Sequence, residues 1–570
     1  MYQVLYTSIK TLNDDVLLSI FKHYRPDNES IREFRLWSKL AHVCRRWRRL
    51  IYESAFHLDA YILCTEGAPV ADMLSHLAPL PLVINYQSTN IRARDELGIS
   101  RALRLHNRVR RVDLHIPSSS LRKLLVIMDE PFQILEHLSL SSPGQDASLV
   151  LPNTLLAPNL RYLTLNGVNF SSELSLLSST VSLVTLTLEN IRESGYFLPG
   201  HLVTRLRSFR QLQELSICFS MPLPNSGTLL NAIETHVTLP KLKRFTFRGV
   251  TVYLENLVAQ IRAPVLERLS ITLFDQGVFA LPHLSYFTNT TEGLKLSMAQ
   301  IIFEQGTVII TDQQVGSRPS SFCLRVMWNT FDRQVDCAAQ ICSALRPLLS
   351  GVERLTITER RWMRADRQDG SIDSAMWLTL LRPFIGAKTL HICRVLRSEI
   401  SRALQAGDAG LDPELLPSLE ELSLDISERH IGNSFTSFID ARQVTGRPVR
   451  LLPSPVPHPG SRRSPRRTPS FSRDYWFTPG QNPFEHLIPD IRPPTWTFLH
   501  MLLGEQDIPP AQPVPLERNL PAQHNPPARV ERNTSHSVRT TRSVGIKPPP
   551  PKNIRSRLHP SHKGAGSAWR

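Results

Sequence analysis

The sequence predicts a mixed α/β fold, with a short helical module first, a solenoid of strand–helix repeats next and a disordered tail last. Two amphipathic helical patterns, an apolar frame that recurs at intervals of about 25 residues, and a proline-rich C-terminal composition support this prediction. The predicted bounds are 8–60 for the helical module, 61–105 for a connector packing onto the repeats, 106–446 for the solenoid and 447–570 for the tail.

The N-terminal module rests on two helical patterns. In TLNDDVLLSIFKHY, residues 11–24, Asn13 is the expected N-cap, and two aspartates follow it at the positive end of the helix dipole. The second pattern, around LAHVCRRWRRL at 40–50, carries an apolar stripe from Trp37 to Leu50 flanked by four arginines. Two short helices bury too little surface to be stable alone, so their apolar faces need a partner within or outside the chain.

Together, LNDDVLLSIF and LAHVCRRWRRLI resemble the F-box, whose pattern is Leu-Pro-x-Glu, an apolar helix and then Val-Cys-x-x-Trp. Asn13 stands where that family usually has proline. The segment that follows the module, ESAFHLDAYILCTEGAPVADMLSHLAPLPLVINY, resembles the continuation seen in a large fungal group of F-box-like proteins. Two later segments, WLTLLRPFIGAKTLHI and FTSFIDARQVTGRPVRLL, are similar to the same group. The resemblance implies docking on a Skp-type adaptor and, through it, on a cullin–RING ubiquitin ligase. The residues expected at the adaptor contact or in the module's own core are Leu12, Leu17, Leu18, Phe21, Leu40, Val43, Cys44 and Trp47.

Two other interpretations of residues 40–50 carry less weight. His42 and Cys44 could ligate a metal, but no second ligand pair with zinc-like spacing lies nearby. The arginines could contact phosphates, but charged residues beside a full apolar stripe usually form a solvated face. We therefore expect no metal, no cofactor and no nucleic acid at this helix.

The middle of the chain repeats an apolar residue at i, i+3 and i+5, which is typical of a short strand with one buried face. The pattern resembles leucine-rich repeats and implies an irregular, horseshoe-shaped solenoid. Val168, Ile191 and Val250 stand where that motif has Asn or Cys, which predicts an apolar ladder. Between 275 and 350 the frame is lost, so this region holds either degenerate repeats or an insertion. The frame starts at residues 109, 135, 160, 183, 212, 242 and 266, and again at 352, 387 and 419.

The residues at i+2, i+4 and i+6 are expected on the open face of the strands. Small hydroxyl residues dominate i+4, and Arg244, Arg268 and Arg354 recur at i+2. This pattern predicts a hydrogen-bonding groove with a basic stripe for an acidic or phosphorylated peptide of an unknown substrate protein. The alternative is that hydroxyl residues simply suit strand packing.

The last 124 residues hold 24 of the 44 prolines and a net charge of +12, from 19 Lys and Arg against 7 Asp and Glu. Such a composition cannot bury enough apolar surface to order its backbone, which predicts disorder. SRRSPRRTPS could act as a nuclear-import patch or bind anions, and the aromatic segment 474–504 could dock on a protein. Since the whole chain carries +16, residues 1–446 carry only 16 − 12 = +4, which does not favour a folded nucleic-acid-binding domain.

Seven scattered cysteines, without a CxxC pair, are typical of reduced thiols in a cytoplasmic or nuclear protein. No apolar run is long enough to span a membrane, and no GxSxG, HExxH, P-loop or GxGxxG motif predicts an enzyme. The predicted function is substrate recognition for a ubiquitin ligase, without catalysis by this chain. The alternative functions are a repeat scaffold that no longer engages a ligase, and a nucleic-acid binder acting through the tail.

Overall fold

In the computed structural model, every residue described below belongs to the unit Met1–Glu485. The predicted disordered tail beyond 453, including the aromatic segment 474–504, lies outside the described residues. These are residue 9 and residues 12–23, 39–76, 79–143, 149–170, 175–222, 236–275, 277–312, 320–328, 330–360, 373–407, 415–424 and 435–453.

Sixteen strands form one long sheet in the order β1-β2-β3-β4-β5-β6-β7-β9-β11-β14-β13-β12-β15-β16-β17-β18, and β8 and β10 pair separately. The mixed α/β class with a long, mainly parallel sheet is therefore confirmed. The strands are β1 Ile62–Cys64, β2 Leu82–Gln87, β3 Val109–His115, β4 His137–Ser141, β5 Tyr162–Asn166, β6 Thr185–Ile191, β7 Glu214–Phe219, β8 Val237–Thr238, β9 Arg244–Gly249, β10 Ile261–Arg262, β11 Arg268–Leu273, β12 Met298–Glu304, β13 Thr307–Thr311, β14 Phe322–Met327, β15 Arg354–Arg360, β16 Thr389–Ile392, β17 Glu421–Leu424 and β18 Arg450–Pro453.

The parallel register aligns the apolar frame across neighbouring strands. At i+3, Leu138 pairs with Leu163 and Leu163 with Leu186, and the residues at i+5 align in the same way. These side chains are buried in one continuous core with the helices, because the frame puts both positions on the same face of the sheet. Of the apolar ladder residues, Val168 and Ile191 are buried.

Helices connect most of the parallel strands, and successive helices pack against one another. They contribute buried leucines and aromatic residues to the core under the sheet. The α-helices are Asp14–His23, Arg45–Glu53, Val70–His76, Ala93–Leu103, Ser118–Ile127, Ser175–Ser179, Pro199–Leu206, Thr251–Val258, Pro282–Asn289, Phe331–Ala344, Arg346–Leu349, Ser374–Leu381, Arg397–Gly407 and Thr436–Val444, with short 3-10 turns at Glu193–Gly195, Glu292–Leu294 and Arg394–Leu396.

Between 275 and 350, three strands replace the regular repeat. After β11 the chain forms β12, returns antiparallel as β13 through a turn at Gly306 (φ +79°), and returns again as β14. β14 then pairs in parallel with β11 and β12 pairs in parallel with β15, so the inserted strands keep the sheet continuous. In this region an antiparallel excursion of the chain therefore lies between outer strands that pair in parallel with their neighbours.

The sheet extends beyond the predicted solenoid at both ends. The predicted connector contains β1 and β2, and the predicted tail supplies β18, which pairs with β17. The repeat frame fails at β2 because Leu80, Leu82 and Ile84 are buried at a strict spacing of two. Among the described residues, the sheet thus runs from Ile62 to Pro453.

At the frame position i+1, opposite charges meet on several pairs of neighbouring strands, while Val184 and Gln213 at the same position are uncharged. Glu136 meets Arg110 at 3.1 Å, Lys243 meets Glu267 at 3.0 Å, and Lys388 meets Glu353 at 2.9 Å. We call this column the charge ladder. Each such pair is exposed or half-exposed and adds little stability, but a shifted strand would lose it.

Candidate functional site

The first helix of the N-terminal module, Asp14–His23, begins with a side-chain cap. The Oδ1 atom of Asn13 accepts the backbone N–H of Val16 at 2.8 Å, which confirms the predicted N-cap. Asp14 and Asp15 lie in the first turn, where their charge is favourable. Asparagine thus supplies a hydrogen bond that proline, usual at this position in the F-box pattern, cannot supply.

The module's two long helices are held together by an aromatic contact and an ion pair. The ring of Phe21 meets that of Trp47 edge-to-face, with 4.8 Å between centroids. Arg46 donates from Nε to Asp14 at 2.9 Å and from Nη2 to the backbone oxygen of Leu12 at 2.5 Å. These contacts pack the two helices against each other, and their buried residues belong to the same core as the sheet.

The second helical pattern is broken, whereas the sequence predicted one continuous stripe. Residues 39–43 are helical, Cys44 is extended (φ −159°, ψ 166°), and a new helix begins at Arg45. The break frees the carbonyl of Ala41, which accepts a hydrogen bond from Arg48 Nε at 3.0 Å. As a result Val43 and Cys44 are exposed, while Trp47 is half-buried.

The structure sorts the eight expected adaptor-contact residues into three groups. Leu17 and Phe21 are buried and belong to the module's own core. Val43 and Cys44 are exposed. The remaining four are partly buried and pack against the core: Leu12, Leu18, Leu40 and Trp47.

Two further apolar residues of the first helix face outward. Val16 is 42% exposed and Ile20 is 43% exposed, and with Ser19 and His23 they line a shallow, mainly apolar depression. Neither residue was among the eight expected contact residues. We call Val16, Ile20 and the 59%-exposed Val43 the outer residues.

Three of the four arginines in this stretch contact groups within the module. Arg46 binds the first helix and Arg48 binds the carbonyl of Ala41, and Arg49 lies 3.9 Å from Glu53. These contacts account for the arginines beside the apolar stripe, so no phosphate ligand is needed to explain them.

The open face of the sheet is a second candidate site. At i+4, hydroxyl side chains continue from strand to strand, as in the register of Thr187, Ser216 and Thr246. They are half-buried, and the i+3 and i+5 neighbours in each strand are buried. The predicted division of the strand into a core face and an open face is therefore what the structure has.

The three predicted arginines are not all neighbours. Arg268 lies directly beside Arg244 in the register. Arg354 is on β15, which three inserted strands separate from β11, a distance of about 19 Å at the usual strand spacing. Arg354 instead donates to the Met298 sulfur at 3.5 Å.

Two arginines that the sequence analysis did not select complete the cluster. Arg248 registers with Thr272, and Thr272 with Arg325 on β14. We call Arg244, Arg248, Arg268 and Arg325 the arginine patch. The signal for Arg248 was its i+6 position, but Arg325 became a neighbour only through the antiparallel insertion.

One acidic group and two thiols on the open face of the sheet have shifted pKa values. Burial raises the pKa of the Glu189 carboxyl above its usual value. Burial also raises the pKa of the Cys218 thiol to about 11 and that of Cys323 above its usual value. These thiols are therefore protonated at neutral pH, which disfavours nucleophilic chemistry on this face.

Across the described parts of the chain, no three His, Cys, Asp or Glu side chains come together as a metal site would require. No helix among the described residues has both the length and the apolar character needed to cross a bilayer. All seven cysteines are free thiols, of which Cys64, Cys337 and Cys342 are buried.

Comparisons with known proteins add little to this description. No family model and no curated protein matches the chain. Among solved structures, a leucine-rich repeat-containing protein, LegL7 from Legionella pneumophila, matches at 10% identity with a TM-score of 0.22, covering 68% of this chain and 98% of that one. At this score the likeness carries no weight for fold or function, which rest on the strands and side chains described above.

Proposed function

We propose that this chain selects substrates for a cullin–RING ubiquitin ligase. The N-terminal module would dock on a Skp-type adaptor, and the open face of the sheet would hold the target protein. The chemistry would lie on the ubiquitin-carrying partner, and this chain would act by raising the local concentration of the target's lysines.

The observation that carries the proposal is that the packed N-terminal module keeps apolar side chains exposed on its surface. Its helices are already packed together through Phe21 and Trp47, yet the outer residues Val16, Ile20 and Val43 remain exposed. A partner that covers branched aliphatic side chains on the surface of a folded unit removes them from water, which lowers the free energy of the complex. The Val-Cys-x-x-Trp resemblance at 43–47 supports an adaptor as that partner.

The second candidate is a protein-binding scaffold that has lost its ligase. Asn13 favours it, since this position departs from the family pattern. The two candidates share the open sheet face and differ only in whether the N-terminal module binds the adaptor.

Capture of the full-length chain by a purified Skp-type adaptor tests the proposal. Val43→Asp and Ile20→Asp place a charge on outer residues without touching the core, and each should weaken capture at least about tenfold. Val444→Asp is the matched control, because Val444 is 88% exposed in the helix Thr436–Val444, outside the module. Trp47 is a poorer target, since its removal would also loosen the helix pair.

If the unmutated chain is not captured, the ligase proposal fails and the scaffold takes its place. Equal capture of the control and of both module variants would also contradict the proposal.

A further inference from the structure

The arginine patch concentrates positive charge on three adjacent strands. Arg244 and Arg268 lie opposite each other at the start of β9 and β11. Arg248 and Arg325 lie four residues further along, about 13 Å away, on the two sides of Thr272. Between these rows stand the hydroxyl groups of residues 246 and 270.

This charge has no balancing acidic groups in its own strands. None of β9, β11 and β14 contains Asp or Glu. Arg244 pairs with Glu214 of β7, whereas Arg268 forms no ion pair with any described residue. Like charges directly opposite each other destabilise a sheet, and the charge ladder elsewhere avoids that cost.

Arg248 is held in place before any ligand arrives. Its guanidinium carbon lies 5.6 Å from the centroid of the Phe274 ring, a cation–π distance. Its Nε is buried and makes no hydrogen bond within the described part of the chain. A buried donor without a partner costs free energy unless a ligand or water satisfies it.

We propose that the arginine patch binds an extended acidic segment of the target protein, with anionic groups four residues apart. This inference rests on the proposed role of the sheet face in holding that target. In an extended peptide, side chains at i and i+4 lie on the same side about 13 Å apart, which matches the two rows of arginines. Guanidinium groups recognise carboxylates and phosphates through paired hydrogen bonds.

Two other occupants fit less well. The chain's own residues 447–570 carry +12 and would be repelled. Single-stranded nucleic acid is usually held by exposed aromatic rings beside the charge, but the aromatic residues of β9, Phe245 and Phe247, are buried in the core.

Fluorescence anisotropy on the full-length chain tests the proposal. The probes are labelled nine-residue peptides of serine and glycine that carry glutamate, phosphoserine or glutamine at the third and seventh positions. The glutamate or the phosphoserine peptide should bind at least about tenfold more tightly than the glutamine peptide, and binding should weaken as salt rises. Binding of both anionic peptides points to charge alone, and binding of the phosphoserine peptide alone points to a phosphorylated target; either result supports the patch.

The double variant Arg268→Glu, Arg325→Glu should lose at least about tenfold in affinity, with an unchanged melting temperature. Arg262→Glu is the control, because Arg262 is exposed on β10, outside the main sheet. Failure of both anionic peptides to bind, unchanged binding by the double variant, or tighter binding of an unstructured RNA oligonucleotide would overturn the proposal. Adaptor capture by the same proteins is measured in parallel, so that failure of the patch is distinguished from failure of the ligase role.

Discussion

Phe21→Ala should open the N-terminal module while the sheet stays folded. The Phe21 side chain is only 1% exposed and meets Trp47 at 4.8 Å. Replacing a buried phenylalanine by alanine costs about 3–5 kcal/mol. We expect about 3 kcal/mol, the lower end, because the module has few neighbours and can relax around the cavity.

Hydrogen exchange followed by mass spectrometry measures this loss locally. A cost of about 3 kcal/mol raises the population of the opened module about a hundredfold, so amides in Asp14–His23 and Arg45–Glu53 should exchange faster by that factor. Amides of β15 and β16 should be unchanged, because ten strands of the sheet order lie between β2 and β15. Phe56→Ala is the matched control, since Phe56 is 61% exposed.

Unchanged exchange in Asp14–His23 would refute the packing role of Phe21. Equal acceleration in β15 and β16 would refute the view that the module opens independently of the sheet.

Two further predictions concern buried polar groups. Arg442 is buried and donates to the backbone oxygen of Leu416, so Arg442→Met should destabilise the C-terminal end by about 2 kcal/mol, measured by urea unfolding, whereas exposed Arg402→Met should change little. Burial raises the pKa of Glu189 above its usual 4.5, so the folded state favours the protonated carboxyl. The contribution of this carboxyl to folding stability is complete below pH 4.5 and is lost as pH rises through the raised pKa. Glu189→Gln should therefore gain melting temperature relative to the unmutated chain as pH rises from about 4 to about 8, and a constant difference would contradict this.

The repeat frame was predictable because it depends on residue types alone. Leucine at i+3 and i+5 has one low-energy environment, the face of a strand turned to the core, and the register of Leu138, Leu163 and Leu186 follows from it. The cap at Asn13 was predictable for the same reason, since a short side-chain acceptor before an acidic first turn is a local signal.

The candidate sites were less predictable because they depend on tertiary context. The first helix has apolar residues over more than one face, and only tertiary packing selects Leu17 for the core while Val16 stays 42% exposed. Similarly, nothing in the sequence around Arg325 indicates that its strand, β14, lies beside β11. Two strands, β12 and β13, come between them along the chain.

The charge ladder limits which single repeats the solenoid can lose. Loss of the repeat that carries Lys388 would place Glu353 beside Glu420, and loss of the repeat that carries Glu136 would place Arg110 beside Arg161. Either deletion leaves the leucine frame intact but sets like charges opposite each other. Loss of the repeat that carries the uncharged Val184 or Gln213 sets no like charges together, so the two charged runs tolerate the loss of a single repeat less well than the stretch between them.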